Sequence, residues 1–334
     1  MVYTEIKEKN GRKYYYRVQS VRKGNKIMKK RVYLGSDLVK KQLSEKEGEA
    51  DKELMLLSTL LTEKEIKELE KIKKEYAILP KENLENRYES FVSLFTYDST
   101  NIEGNTFTLQ ETSQLLFEKI TPRKSLREIN EVINHREAFD YILTWDKDIS
   151  KEMILKLHEL VVKNTLKDEL KAEIGKYRTL QVYIRGTNWL PPKPQEVPEE
   201  MQVLLSWYSK NKGKLHPLIL AAYFHSAFET IHPFQDGNGR TSRVLTNFLM
   251  LKSGYEYMPY VSHEKFVEDN KSDYYLALRK SQGNYKKRQS DIAPWMIFFL
   301  TILLEQVKMA IDINDSERIE LFLSEKQLKV WQYF

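Results

Sequence analysis

The 334 residues are 41% hydrophobic and 31% charged, with a mean hydropathy of −0.57, so the chain can bury a real core beneath a heavily solvated surface. None is cysteine, which excludes disulfides and thiolate metal sites. The net charge of +6 is unevenly placed: residues 1–31 hold eleven Lys/Arg against Glu5 and Glu8, and the remainder is slightly acidic.

Met1 precedes a mixed polar segment without an apolar core, so no secretory leader is read there. The longest uncharged apolar stretch, Ile292–Leu304, is too short to span a bilayer and reads as a buried helix. No membrane partner is expected, and a reducing cytoplasm fits the absence of cysteine.

Tyr14–Val18 and Ile27–Leu34 are rich in β-formers, and Asn10-Gly11 and Gly24-Asn25 are tight-turn pairs. Residues 1–40 are therefore predicted to form a small basic β-meander. A charged linker follows at Lys40–Lys52, within a helical linker region over 41–84. Thr62-x-x-Glu65, Thr108-x-x-Glu111 and Ser125-x-x-Glu128 have the spacing of capping boxes. Apolar periodicity predicts helices over 62–78, 84–101, 108–119, 125–145 and 150–164. Gly175, Gly186, Pro191, Pro192, Pro194 and Pro198 then punctuate the chain, around a strand-like Gln181-Val-Tyr-Ile-Arg185. This is read as a short β-hairpin or flap. Helices resume over 198–211, 216–231, 240–253, 270–282 and 292–311. Segment 216–231 is apolar on nearly every side, as a helix at the centre of a bundle must be. Ser324–Phe334 starts a further helix. The predicted fold class is mainly α, a helical bundle interrupted by a β-hairpin flap and preceded by a β-meander.

The central helix runs into His232-Pro-Phe-Gln-Asp-Gly-Asn-Gly-Arg-Thr-Ser-Arg243. Pro233 ends the helix, because proline disfavours helical geometry in the residue before it. Gly237 and Gly239 allow backbone shapes closed to other residues. A new helix is predicted from about Gly239–Arg240. Free amides and the helix dipole at such an N-terminus suit phosphate. Arg240 and Arg243, three apart, project from one side of the first turn, which suits several phosphates. Asp236 is the only carboxylate in the loop and is suited to holding Mg²⁺. His232 is the only group there able to accept a proton near neutral pH. Together these form a phosphoryl- or nucleotidyl-transfer kit. No Walker-type loop, full G-x-G-x-x-G or H-E-x-x-H occurs. His225 and Glu229 share the helix with His232; a satisfied core histidine is preferred there over a metal site.

His232–Arg243 matches every position of H-x-F-x-(D/E)-G-N-G-R-x-x-R, and the chain over roughly 85–312 resembles the Fic family on that motif. The resemblance implies a protein adenylyltransferase that moves AMP from Mg·ATP onto a Ser, Thr or Tyr hydroxyl of a target protein. It implies His232 as the base, Phe234 as the anchor of the loop, and Asp236 as the Mg²⁺ ligand. Gly237, Asn238, Gly239 and Arg240 would cradle the α- and β-phosphates, and Arg243 would meet the γ-phosphate. Val182, Tyr183 and Ile184 would dock the target segment by edge pairing. Tyr275 and Gln282 fall where the family contacts adenine, Gln282 standing where an Asn is usual. Ser99-Thr-Asn-Ile-Glu103-Gly104 resembles the family's inhibitory motif, Ser/Thr-x-x-x-Glu-Gly/Asn, in the subgroup with an N-terminal inhibitory helix. Glu103 would pair with Arg243 and misplace the nucleotide. Family habit implies a homodimer, and residues 313–334 as the start of a winged-helix-like module. Two other functions remain at this point. One is removal of AMP, or transfer of another phosphate-containing group. The other is a DNA-associated regulator, in which the basic N-terminus with Tyr14–Tyr16 binds DNA and the core senses nucleotide.

Overall fold

The computed structural model describes residues 2–23, 26–54, 61, 63–76, 84–184, 186–282 and 292–316. The Gly24-Asn25 turn, Thr62, Arg185 and Ser324–Phe334 lie outside the described residues.

Three antiparallel strands, β1 (Val2–Lys9), β2 (Arg12–Lys23) and β3 (Lys26–Ser36), form one sheet in the order β1-β2-β3. Asn10 and Gly11 join the first two at φ 52° and 75°, the left-handed pair that a two-residue hairpin requires. Alternation along β2 and β3 turns Tyr15, Val32 and Leu34 to one face, which α1 (Lys40–Leu54) covers with Leu43 and Ala50. The predicted charged linker is this helix. Its carboxylates find a partner in the sheet, where Arg17 grips Asp51 through Nε at 2.7 Å and Nη2 at 2.9 Å.

The rest is a helical bundle: α2 (Glu63–Tyr76), α3 (Leu84–Ile102), α4 (Leu109–Phe117), α5 (Leu126–Thr144), α6 (Lys151–Val162), α7 (Val197–Asn211), α8 (Pro217–Ile231), α9 (Asn238–Lys252), α10 (His263–Asp269), α11 (Lys271–Ser281) and α12 (Ala293–Ser316). Thr108 and Ser125 close full capping boxes with Glu111 and Glu128, as their spacing predicted. α10 was not predicted. Seven residues are too few for a legible period, and only its capping residue, Ser262, which accepts from Lys265 N, marks its start.

α8 is buried along almost its whole length and touches α7, α9 and α12. Phe224, Phe228 and Ile231 bury completely there, and truncating such a phenylalanine costs about 3–5 kcal/mol. α12 runs 24 residues, and Ala293–Ile311 is long and apolar enough to cross a membrane. Trp295, Met296, Phe299, Leu300 and Leu303 instead pack into the core, and Trp295 Nε1 donates to Ala222 O of α8 at 2.7 Å.

The expected hairpin at 175–198 is corrected: no strand forms among its described residues. Prolines 191, 192 and 194 have no N–H to give a ladder. Side chains hold the segment in place of a ladder. Gln181 Nε2 donates to Pro191 O at 3.2 Å, and Arg178 Nη2 donates to Pro192 O at 2.5 Å.

Candidate active site

α8 ends at His232, which adopts φ 51° and ψ 62°. A left-handed non-glycine residue costs about 1–3 kcal/mol, so surrounding contacts must impose it. Several do. His232 N donates to Phe228 O at 2.8 Å, and its carbonyl accepts from Arg178 Nε at 2.9 Å. Arg178 N also donates to Pro233 O at 3.0 Å. This buried arginine thus ties the flap segment to the loop.

Phe234 is fully buried and stacks on His158, with ring centroids 3.7 Å apart. His158 Nδ1 accepts from Gly175 N (3.2 Å), which leaves Nε2–H to donate to Asp236 O (3.1 Å). Burial pushes the pKa of His158 down to about 4, which suits this neutral tautomer. Asn238 clamps the turn: Oδ1 accepts from Phe234 N and Nδ2 donates to Phe234 O, each at 2.9 Å. Its side chain is therefore spent within the loop, and only its backbone amide is left for the expected phosphate cradle. Gly237 precedes α9 at φ 79°, and a Cβ there would meet Val162 Cγ1 at 2.6 Å. Helix α9 begins at Asn238, a residue earlier than predicted. Its first backbone bond runs from Thr241 N to Gly237 O (3.0 Å), so the amides of Asn238, Gly239 and Arg240 form the open first turn.

Both arginines are buried beside that turn, at 2% and 1% exposure. Arg240 lies 3.6 Å from Glu131 and 3.5 Å from Asp236, and its Nε and Nη1 make no hydrogen bond among the described residues. Arg243 donates Nε to Ser99 Oγ (2.9 Å) and Nη2 to Ser99 O (2.8 Å) and Glu103 Oε1 (2.8 Å). Its Nη1 makes no hydrogen bond among the described residues. Burial opposes the charge of Arg243, but Glu103 together with Tyr274 and Tyr275 outweighs it and holds the pKa above its ordinary value. The Glu103 carboxylate lies against Gly239, where a Cβ would collide with it. Gly104 follows at φ 96°, which turns the chain away from α3.

His232 Nδ1 lies 3.7 Å from Glu229 Oε2, and Glu229 Oε1 accepts from Ser242 Oγ at 2.5 Å. Burial raises the pKa of Glu229, yet His232, His225 and Ser242 outweigh it and hold it at about 2. An anion thus backs the imidazole. In the sequence Glu229 stands out only beside His225, as a candidate metal site on the helix that carries His232. His225 is the satisfied core histidine expected, bonded to Thr246 Oγ1 (2.8 Å) and Tyr274 OH (3.0 Å).

Asp236 Oδ1 accepts from Gly237 N at 2.5 Å, and Oδ2 accepts from Arg127 Nη2 at 3.2 Å. Among the described residues, no group of three His, Cys, Asp or Glu is placed to hold a metal. One carboxylate beside an anion nest still fits Mg²⁺, which takes few protein ligands and relies on phosphate oxygens. Arg127, whose side chain is 54% exposed, also donates Nε to Glu131 Oε1 at 3.0 Å.

Tyr274 is buried in the core, whereas the half-buried Tyr275 donates its OH to Ile102 O at 3.3 Å, beside Glu103. Gln282 caps α11, and its Oε1 makes no hydrogen bond among the described residues. In the flap, Val182 is buried, Ile184 is half-buried and Tyr183 is 81% exposed. Trp189 Nε1 donates to Thr230 O at 3.1 Å and fixes the far end of the flap against α8.

A family model described as the Fic/DOC family matches residues 148–250, which take in α6 to α9 and the whole loop. Over these residues the chain is similar to the Fic family. It is 33% identical over 208 residues to the protein adenylyltransferase Fic of Nematostella vectensis, covering 60% of this chain and 44% of that protein. The protein adenylyltransferase Fic of Drosophila persimilis is 36% identical over 207 residues, 60% of this chain and 37% of that protein. The chain therefore spans less than half the length of these curated relatives. Among solved structures, a Fic family protein from Desulfovibrio desulfuricans G20 superposes with TM-score 0.63 and 29% identity, over 75% of this chain and 74% of that one. Fic-1 from C. elegans gives TM-score 0.62 at 25% identity, over 84% and 80%. The matched residues thus include the loop, its anchor Phe234 and the first turns of α9. Ser99 and Glu103 reach it from α3, outside the matched residues.

Proposed function

We propose that this chain transfers AMP from ATP to a Ser, Thr or Tyr hydroxyl of a protein, and that Glu103 holds the reaction back. The observation that carries the reading is the Glu103 carboxylate seated on Arg243 and against Gly239, at the open first turn of α9 that closes the His232 loop. The relatives named protein adenylyltransferase support the reaction class.

The open amides of α9 and the idle Nε and Nη1 of Arg240 bind phosphate oxygens. His232, oriented by its strained backbone and backed by Glu229, takes the proton of the target hydroxyl. That oxygen attacks the α-phosphorus, the bond to the bridging oxygen breaks, and pyrophosphate leaves with the electron pair. Mg²⁺, when held by Asp236, neutralises charge on the phosphates. Glu103 competes with the terminal phosphate for Arg243, so nucleotide that enters sits out of line for attack. The flap at Val182–Ile184, where Tyr183 is exposed, would receive the target segment.

Incubation with α-labelled ATP and Mg²⁺ tests this. Glu103→Gly is expected to raise labelling of protein strongly over wild type, and His232→Ala to abolish it. Equal labelling by wild type and Glu103→Gly removes the inhibitory role; label that survives His232→Ala removes the catalytic one.

A further inference from the structure

Among the described residues, no hydrogen bond or ion pair joins the N-terminal sheet to the residues around His232, yet the sheet holds most of the chain's excess positive charge. β2 and β3 outrun β1. Beyond the Val2/Gln19 pair, where the described part of β1 starts, they pair on through Ser20/Lys29, Val21/Met28, Arg22/Ile27 and Lys23/Lys26. At about 3.4 Å per residue this two-stranded ribbon extends roughly 13 Å past the third strand. Four of its eight residues are Lys or Arg and none is acidic.

The two faces of the sheet also differ. On the side of α1, acids answer the cation: Asp51 and Glu47 hold Arg17. On the other side, Lys7 lies 5.5 Å over the Tyr16 ring, and Tyr16 packs 5.3 Å from Tyr33. Strand alternation adds Lys9, Lys29 and Arg31 to that side, all of them exposed. Glu5, bonded to Arg31 at 2.9 Å, is the acid found among them.

We propose that this ribbon and the adjoining face bind duplex DNA, with the ribbon in the major groove and the flanking cations on phosphates. The B-form major groove, ~12 Å wide and ~8.5 Å deep, admits a two-stranded ribbon of this length. The deep, narrow groove of A-form RNA does not admit one, and a single strand offers no groove. The proposal is independent of AMP transfer, because it rests on none of the residues assigned to that reaction.

The test is anisotropy of the full chain with a short labelled DNA duplex over a salt series. Wild type is expected to bind, with affinity falling steeply as salt rises. Replacing Arg22, Lys23, Lys26 and Lys29 by Ala together is expected to weaken binding about tenfold or more. The salt slope should fall by about 3 to 4, at ~0.9 per phosphate contact. Replacing the exposed Lys64, Lys67, Lys210 and Lys280 by Ala is the control and should leave affinity almost unchanged. If far-UV circular dichroism shows that the fourfold variant loses its sheet, Lys29→Glu alone carries the test, with the same sign. Equal loss in both sets, equal binding of single strands or duplex RNA, or no binding at low salt overturns the proposal. Labelling by ATP, read on the same variants, keeps failure here distinct from failure of the proposed reaction.

Discussion

Removing Glu103 should weaken the fold and, at the same time, make it more responsive to nucleotide. Arg243 is 1% exposed, and Glu103 is the one carboxylate bonded to it among the described residues. Stripping the partner from a buried pair costs about 3–5 kcal/mol when the remaining charge is left bare. Arg243 is not left bare, since Nε and Nη2 still reach Ser99, and the Glu103 side chain is 35% exposed. The cost of Glu103→Ala is therefore reduced to about 1–3 kcal/mol. At roughly 2 °C per kcal/mol for a chain of this size, Tm should fall by about 2–6 °C. On the proposed function, ATP with Mg²⁺ would replace the lost anion on Arg243, so it should raise the Tm of the variant more than that of wild type. Thermal unfolding followed by circular dichroism, with and without nucleotide, reads both quantities. A variant as stable as wild type, or an identical ATP-induced shift in both proteins, would refute the argument that carboxylate and phosphate compete for one guanidinium.

Glu229→Gln keeps the shape behind His232 but removes the charge; in the Glu103→Gly background kcat should fall about tenfold to a hundredfold with the KM for ATP little changed. A matching rise in KM would instead mean that the pocket had rearranged. Gly237→Ala must place a Cβ at φ 79° and 2.6 Å from Val162, so a loss of about 2 kcal/mol or more is expected in denaturant unfolding. An unchanged midpoint would show that the turn relaxes without cost. Burial raises the carboxyls of Asp98 and Glu264, at the contact of α3 with α10, to about 8 and about 7. Glu264, Asp269 and Glu268 add to the shift of Asp98, and Lys265 opposes it. Folded protein then holds more protons than the unfolded chain between about pH 4 and pH 8, so stability should fall as pH rises through that window. Asp98→Asn with Glu264→Gln should flatten Tm between about pH 5 and pH 8; a slope equal to wild type sinks the assignment.

The order of elements was legible because local rules wrote it. The Asn10-Gly11 turn, the capping boxes at Thr108 and Ser125, and the all-round apolar α8 each declare themselves within a few residues. α1 was read as a linker because its apolar stripe is thin and its charges are satisfied by the sheet. The flap was misread because strand propensity in 181–185 met prolines that cannot complete a ladder.

For the site, twelve contiguous residues determined the chemistry on offer: a base, an anion nest and two guanidiniums, fixed by backbone geometry that glycine and proline impose locally. What those groups touch was decided by tertiary packing. Arg178 reaches His232 from 54 positions away, Arg127 reaches Asp236 from 109, and Ser99 reaches Arg243 from 144. Such contacts leave no periodic trace in the sequence, because a side chain at the end of one helix meets another only after the bundle has closed. Glu229 is the sharpest case. It sits one turn before His232 in plain view, but its part in orienting the imidazole depends on the left-handed turn at His232 and on Ser242 arriving from the next helix.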